Sequence, residues 1–198
     1  MNGAVSVVGC AILRREVELL VGKNGWTVHP RWLKSELHSR FEPLGRALDE
    51  ALSEQGGTGR PAVVLYGCCH PRMDTILSTH RADRVGAQNC IAMLLGHERF
   101  MEELERGTYF LLEGWARTWD AAITADFGTN VEVIRQIFHD SHSRMVAVRT
   151  PCSADFTEEA EAAARFVDLP LEWIDADLGH LERLLGDALA ERSQADAG

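Results

Sequence analysis

A chain of 198 residues with a formal charge of −10 and pI near 5.2 is long enough to bury a real core. Its acidity excludes nonspecific binding to nucleic acid or to anionic membranes. No run approaches the roughly 20 apolar residues that span a bilayer, and no basic region followed by an apolar stretch opens the chain as a signal peptide would. A cytoplasmic location is therefore expected. Five cysteines, at 10, 68, 69, 90 and 152, cannot all pair within one chain. In a reducing compartment they are free, metal-bound or catalytic rather than structural disulfides.

The first strand is Ala4 to Gly9, which passes through Cys10 into a helix from Ala11 to Leu20. After a turn-rich stretch, a short strand from Trp26 to His29 stops at Pro30. A helix follows, starting at Trp32 or Phe41 and running to Ser53, with Leu37, Phe41, Leu44, Leu48 and Leu52 as its apolar stripe. Glu54 to Pro61 is a loop by composition.

Ala62 to Tyr66 is a short apolar run of the kind buried in parallel sheets, and it ends in Gly67-Cys68-Cys69-His70. A short helix from Pro71 to Ser78, a weak strand from Ala82 to Val85 and helices at 90–95 and 97–105 come next. The strand 107–112 leads to helical stretches at Trp119–Ile123 or Asn130–His139. The strand Arg144 to Arg149, the acidic helix Phe156 to Phe166, the strand Leu171 to Ile174 and the helix Leu178 to Ala190 complete the pattern. Residues 191–198 read as a disordered tail.

Strands alternating with helices imply an α/β fold, a mostly parallel sheet flanked by helices in one doubly wound, Rossmann-like domain spanning 1–190. No internal repeat or interdomain linker is visible. Dinucleotide and phosphate-loop glycine motifs and the Gly-x-Ser-x-Gly turn are missing, which moves nucleotide binding and serine hydrolysis out of the front rank.

In such sheets ligands bind beyond the carboxyl ends of the strands. Cys10 and Cys69 follow strands, and Cys90 opens a helix after the weak strand. Thiolates favour zinc, copper(I) and iron–sulfur clusters. Structural zinc sites use close Cys-x(2–4)-Cys pairs and four ligands. Three thiols from distant segments leave a fourth position open, which suits catalysis or cofactor handling. The metal ligands expected are Cys10, Cys69 and Cys90, holding a 4Fe–4S cluster first or zinc second. His70 and Asn89 are the polar candidates beside them, as ligand, proton donor or orienting group. Each cysteine taken alone is as easily a small buried hydrophobe, His70 a loop residue, and Asn89 the cap of the Cys90 helix. His38, the pair His139 and His142, Glu16, Arg14, Trp115 and Cys152 have ordinary surface or packing explanations.

Four blocks carry a family resemblance. They are Gly9-Cys10-Ala-Ile-Leu-Arg-Arg-Glu16; Leu37-His38…Pro43-Leu44…Leu48; Tyr66-Gly67-Cys68-Cys69; and Cys90-Ile91…Leu94-Leu95-Gly96 with Gly107-Thr108-Tyr109-Phe110…Gly114-Trp115. Together they resemble the bacterial and archaeal family catalogued as domain of unknown function 1638, over roughly Val7 to Leu185. The resemblance places the family's three recurring cysteines on Cys10, Cys69 and Cys90. Two positions depart from it: Arg84-Val-Gly-Ala-Gln-Asn89 stands where the family has Pro-Arg-x-His-Asp, and His70-Pro71-Arg72 where it has Gly-Asn-Gly. The family's frequent company with corrinoid methyl-transfer systems implies one-carbon or metal-cofactor metabolism and a corrinoid or methyltransferase protein as partner.

The expected function is a metalloprotein that handles a small molecule, as a metal-thiolate-dependent transferase or lyase moving a methyl or sulfur group. The alternatives are a metal-independent enzyme with Cys69 as nucleophile, or a non-catalytic partner or chaperone of a corrinoid or metalloenzyme.

Overall fold

The computed structural model describes residues 4–56 and 62–195; most of the expected loop before Ala62 and the end of the expected tail lie outside them. The fold is α/β, with parallel sheets flanked by helices. Among the described residues seven strands are shared between two sheets, and the chain divides into two compact units. The first takes the chain up to Leu94 and again from Leu178, the second Leu95–Asp177. The first crossing falls inside one short helix and the second between Asp177 and Leu178, in the short connection after the last strand, so no long linker marks either in the sequence.

In the first unit, β1 (Val5–Cys10), β2 (Val28–Leu33), β3 (Ala62–Leu65) and β4 (Asp83–Arg84) form a parallel sheet in the order β2-β1-β3-β4. Between them lie α1 (Arg14–Asn24), α2 (Phe41–Gly56) and α3 (Met73–Thr79), followed by α4 (Cys90–Leu95). Every residue of β1 and β3 is buried, as expected of central strands covered on both faces. Val8, Cys10, Val64 and Tyr66 pack with Leu44, Leu48 and Leu52 of α2 and Met73 and Leu77 of α3. Side chains alternate along a strand, so Val7, Val63 and Leu65, also buried, serve the other face. The last helix, α10 (Gly179–Ala195), packs on β1 and β3 and joins α1 through Glu182, which accepts from Lys23 and Asn24 at 2.8 Å each.

Two boundaries differ from expectation. The second strand does not stop at Pro30: it runs to Leu33, with Pro30 opposite Val7. β2 is an edge strand, where a residue without an N–H is tolerated. Residues 191–195 are not a frayed tail but continue α10. Arg192 holds them there, its Nε donating to the Ala62 carbonyl at 3.3 Å and its Nη1 pairing with Asp83 at 3.1 Å.

The second unit has β5 (Thr108–Leu112), β6 (Arg144–Arg149) and β7 (Leu171–Asp175), parallel and in chain order. Its helices are α5 (His97–Glu105), α6 (Glu113–Arg117), α7 (Trp119–Phe127), α8 (Val131–Ser141) and α9 (Thr157–Val167). Both stretches offered as alternatives between β5 and β6 are helical. Gly128, at φ 79°, separates them, and the Asn130 side chain caps α8 by accepting from Val133 N at 3.3 Å. Trp119, Phe138, Phe156 and the alanines of α9 fill this core.

Candidate metal-thiolate site

The order β2-β1-β3-β4 contains one reversal: the chain steps from β1 outward to β2, then crosses back to lay β3 on the other side of β1. The crevice at such a switch point, outside the carboxyl ends of the two strands, is where open α/β sheets bind ligands. Cys10 is the last residue of β1. The β1–β3 register pairs Gly9 with Leu65, so one step further Cys10 comes level with Tyr66, and the chain then turns through Gly67 and Cys68 to Cys69.

Cys90 reaches this edge through a backbone contact. The Cys68 N–H donates to the Gln88 carbonyl at 2.8 Å, which docks the segment before α4 onto the end of β3. The approach is so close that a Cβ at Gly67 would lie 2.0 Å from the Gln88 oxygen and 2.6 Å from Asn89 N. Only glycine fits. Asn89 then caps α4, its Oδ1 accepting from Ala92 N at 2.9 Å.

The three thiols lie within one another's electrostatic field. Burial pushes Cys10 up to about 11, assisted by the neighbouring Cys69 and Glu36 and opposed by the Ile12 N–H and the Tyr66 hydroxyl. Burial also raises Cys69; the Gly67 N–H and the Arg84 guanidinium pull against it. Cys90 is pushed well above the ordinary thiol value by burial, then by Cys10 and Cys69, while the N–H groups of Ile91 and of Cys90 itself oppose the shift. Each sulfur thus has at least one backbone N–H that favours its thiolate. Among the described residues no three His, Cys, Asp or Glu side chains already stand at positions for a single ion.

Tyr66 is the residue whose importance the sequence did not disclose. It is only 2% exposed, and its hydroxyl finds no hydrogen-bond partner of ordinary geometry. Beside it are the three sulfurs, Cys10 foremost, and its own ionisation is driven upward by burial and by all three. A buried hydroxyl without a partner costs about 1–3 kcal/mol, and sulfur is a weak acceptor. Period-2 alternation from Val64 could have flagged it, since that pattern puts Tyr66 on the face of Cys10.

His70 is brought to the same strand end but is turned into the packing. It is 4% exposed, its Nδ1 accepts from Arg72 N at 3.0 Å, and its ring sits edge-on to Phe41 at 6.2 Å. A Cβ on Gly45 would meet its Nε2 at 2.9 Å, so the imidazole lies directly against α2. Cys68 is exposed.

The remaining candidates are dispersed. His38 contacts the Ser35 carbonyl through Nδ1 at 2.6 Å. Arg14 pairs with Glu18 at 2.7 Å on the surface of α1, and Glu16 is buried in the same helix. His139 contacts the carbonyls of Val167 and Asp168. His142, expected at the surface, packs against Tyr109 at 5.2 Å, and burial lowers its pKa. Trp115 joins the second core, and the Cys152 N–H bonds Thr150 Oγ1 at 3.2 Å in the turn after β6.

No curated protein matches the chain. A solved structure titled "XylFII-LytSN complex" aligns with 87% of this chain and 80% of its own at 10% identity, with a TM-score of 0.30. No helix among the described residues is long and apolar enough to cross a membrane. The family model described as "Protein of unknown function (DUF1638)" matches residues 32–185, a span that takes in Cys69 and Cys90. The chain belongs to the DUF1638 family.

Proposed function

We propose that Cys10, Cys69 and Cys90 hold a metal centre with one open position, an iron–sulfur cluster first and zinc second, at which a small molecule binds and reacts. The observation that carries this reading is the convergence of three thiols from three chain segments at the β1–β3 switch point. Burial raises all three thiols, with Cys69 adding to the shift of Cys10 and both of them to that of Cys90, and a shared cation is what stabilises the thiolates together. A tetrahedral zinc with bonds of about 2.3 Å needs its sulfurs within roughly 4 Å of one another. A cubane takes each thiolate on a different iron, so it does not need single-ion spacing. When bound, the centre supplies a Lewis-acidic position for a methyl- or sulfur-bearing ligand, in a transferase or lyase. Around it Tyr66 offers a hydrogen-bond donor, Gly67 permits the close docking, Asn89 fixes the start of α4, and His70 anchors the strand end to α2. A corrinoid or methyltransferase protein is the partner implied by the family resemblance. Five free cysteines suit a reducing, cytoplasmic setting.

The metal-independent alternative has one observation in its favour, the Arg84 charge beside Cys69. That charge does not outweigh burial, and the Cys69 thiol remains raised; an activated nucleophile needs the opposite shift. Anaerobic purification followed by iron, sulfide and zinc analysis tests the proposal. Stoichiometric metal is expected, lost in Cys10→Ala, Cys69→Ala and Cys90→Ala and kept in Cys68→Ala. Metal-free protein after reconstitution, with folded variants indistinguishable from it, overturns the reading.

A further inference from the structure

The chain's charge is divided unevenly. The second unit holds 7 of the 20 lysines and arginines but 17 of the 30 aspartates and glutamates. The remaining 13 basic and 13 acidic residues cancel in the first unit, so the whole excess of −10 lies in the second. Each unit also exposes apolar side chains, and the charges beside them are opposite in sign. In the first unit Phe41, which helical spacing puts in the apolar stripe of α2, is 55% exposed, its ring edge-on to His70 at 6.2 Å. Arg40 precedes it, and Arg46 lies one turn beyond Glu42; both are exposed, and among the described residues neither side chain has a hydrogen bond or ion pair. Arg72, just before α3, reaches Glu42 at 4.0 Å with both side chains largely in solvent, a contact that holds neither firmly. In the second unit Phe127, Val133 and Ile137 are three of the six large apolar side chains exposed among the described residues. Val133 and Ile137 are one turn apart on α8, and Phe127 ends α7 with its ring 6.0 Å from Phe138. Glu132, Gln136 and Asp140 follow the same four-residue spacing beside the apolar pair. Asp126 and Glu132 are exposed carboxylates without a hydrogen bond or ion pair, and Asp140 accepts from Gln136 at 2.7 Å. Arg135, the arginine of α8, is committed elsewhere, to the carbonyls of Phe166 and Arg165.

We infer that the chain associates with a second copy of itself, the acidic apolar face of α7 and α8 in one copy docking on Phe41, Arg40, Arg46 and Arg72 of the other. Two uniformly acidic surfaces would repel, but a balanced unit with unpaired arginines attracts an acidic one. The charges set the register, while Phe41 and the Val133–Ile137 pair leave water together. The joined faces are unlike, so association runs head to tail. The contact uses none of the thiols and stands independently of the metal centre.

Sedimentation velocity on the purified full chain, at micromolar concentrations and in low and high salt, tests it. Concentration-dependent association is expected in low salt, weakened in high salt as the charges are screened. Arg40→Glu with Arg46→Glu, and separately Glu132→Arg with Asp140→Arg, should each weaken self-association by about a hundredfold. Mixed in equal amounts, the two double variants should associate with each other again, since the two reversed faces match and so do the two native ones. That rescue separates a lost contact from a lost fold, which circular dichroism of each variant checks. Phe41→Ser should weaken association by about tenfold. A wild-type chain that stays monomeric in low salt overturns the inference, as does association that survives either double variant, or folded variants that stay apart when mixed. A monomer that binds polyglutamate or RNA through Arg40 and Arg46 also overturns it, by naming a different occupant of the Phe41 face.

Discussion

The two parallel sheets are built by the same rules, yet their carboxyl ends differ. In the first unit that edge gathers three raised thiols and a buried tyrosine hydroxyl whose neighbour is the Cys10 sulfur. In the second unit the corresponding groups satisfy one another. Glu113 accepts from Ala154 N at 3.0 Å and from Arg117 Nε at 3.1 Å. Arg149 pairs with Asp175 at 2.8 Å and lies over Trp173 at 4.6 Å. A second group of buried charges sits at the opposite end of its sheet. There Arg144 bonds Glu103, reaches Thr108 Oγ1 at 3.0 Å and pairs with Glu172 at 2.8 Å. Strand order accounts for the contrast. The order β5-β6-β7 never reverses, whereas β2-β1-β3-β4 reverses between β1 and β3, the arrangement at which open α/β sheets place their ligands. Polar residues close on themselves in one sheet and remain available in the other.

That contrast can be broken first at the buried ion pair. Arg144→Met strips Glu103 of its main buried partner, and urea unfolding should show a loss of about 3–5 kcal/mol; metal content, measured in parallel, should not change. If metal is lost from a folded Arg144→Met protein, the two edges are not the separate structural and ligand-binding devices described.

Gly67→Ala attacks the other side. The added Cβ must displace the Gln88 carbonyl, a backbone group that cannot rotate away, so a cost of about 2–3 kcal/mol is expected together with loss of metal. Gly22→Ala in α1 is the internal control. Nothing lies within 4 Å of its Cβ position, and it should gain about 0.5–1 kcal/mol from helix propensity.

The thiols make a prediction about pH whose sign depends on metal. In the metal-free chain Cys10 is raised from 9.0 to about 11, so the folded state holds its proton more tightly than the unfolded state does. That stability is fully present below the ordinary thiol value. It is lost as pH climbs from 9.0 toward 11, by an amount on the order of 2 kcal/mol. Thermal unfolding across that window should therefore slope downward without metal. In loaded protein the thiolates are already deprotonated, and the slope should flatten. A flat profile in both forms would show that the thiols are not buried together.

The smallest test compares two caps. Asn89→Ala and Asn130→Ala each remove one side-chain acceptor from a helix N-terminus and should each cost about 1 kcal/mol. Only Asn89→Ala should also weaken metal retention, because only Asn89 sets the start of the helix that carries Cys90.

Much of this molecule is legible without coordinates. The buried runs Val5–Gly9 and Ala62–Leu65, flanked by helices of the right period, state a parallel α/β fold, because central strands covered on both faces have no solvated face to alternate with. Cysteines just beyond such runs mark a strand-end edge, and Asn89 before an apolar helix reads as a cap. What the residues could not disclose is which strands become neighbours. The division into two sheets has no compositional trace, since one crossing lies within α4 and the other in a connection of a few residues before α10. Pro30 could be kept within a strand only because β2 lies at an edge, and Glu191–Ala195 became helical only because Arg192 found Ala62 and Asp83. Tyr66 looked like one more apolar strand residue until β1 was laid beside β3, and His70 looked like a ligand until Gly45 let it lie against α2. Local sequence sets the period, burial and caps of each element, which depend on near neighbours along the chain. The order of the strands, and with it the edge where three thiols and a hydroxyl come within one another's field, depends on contacts across distant parts of the chain and was decided by the tertiary structure alone.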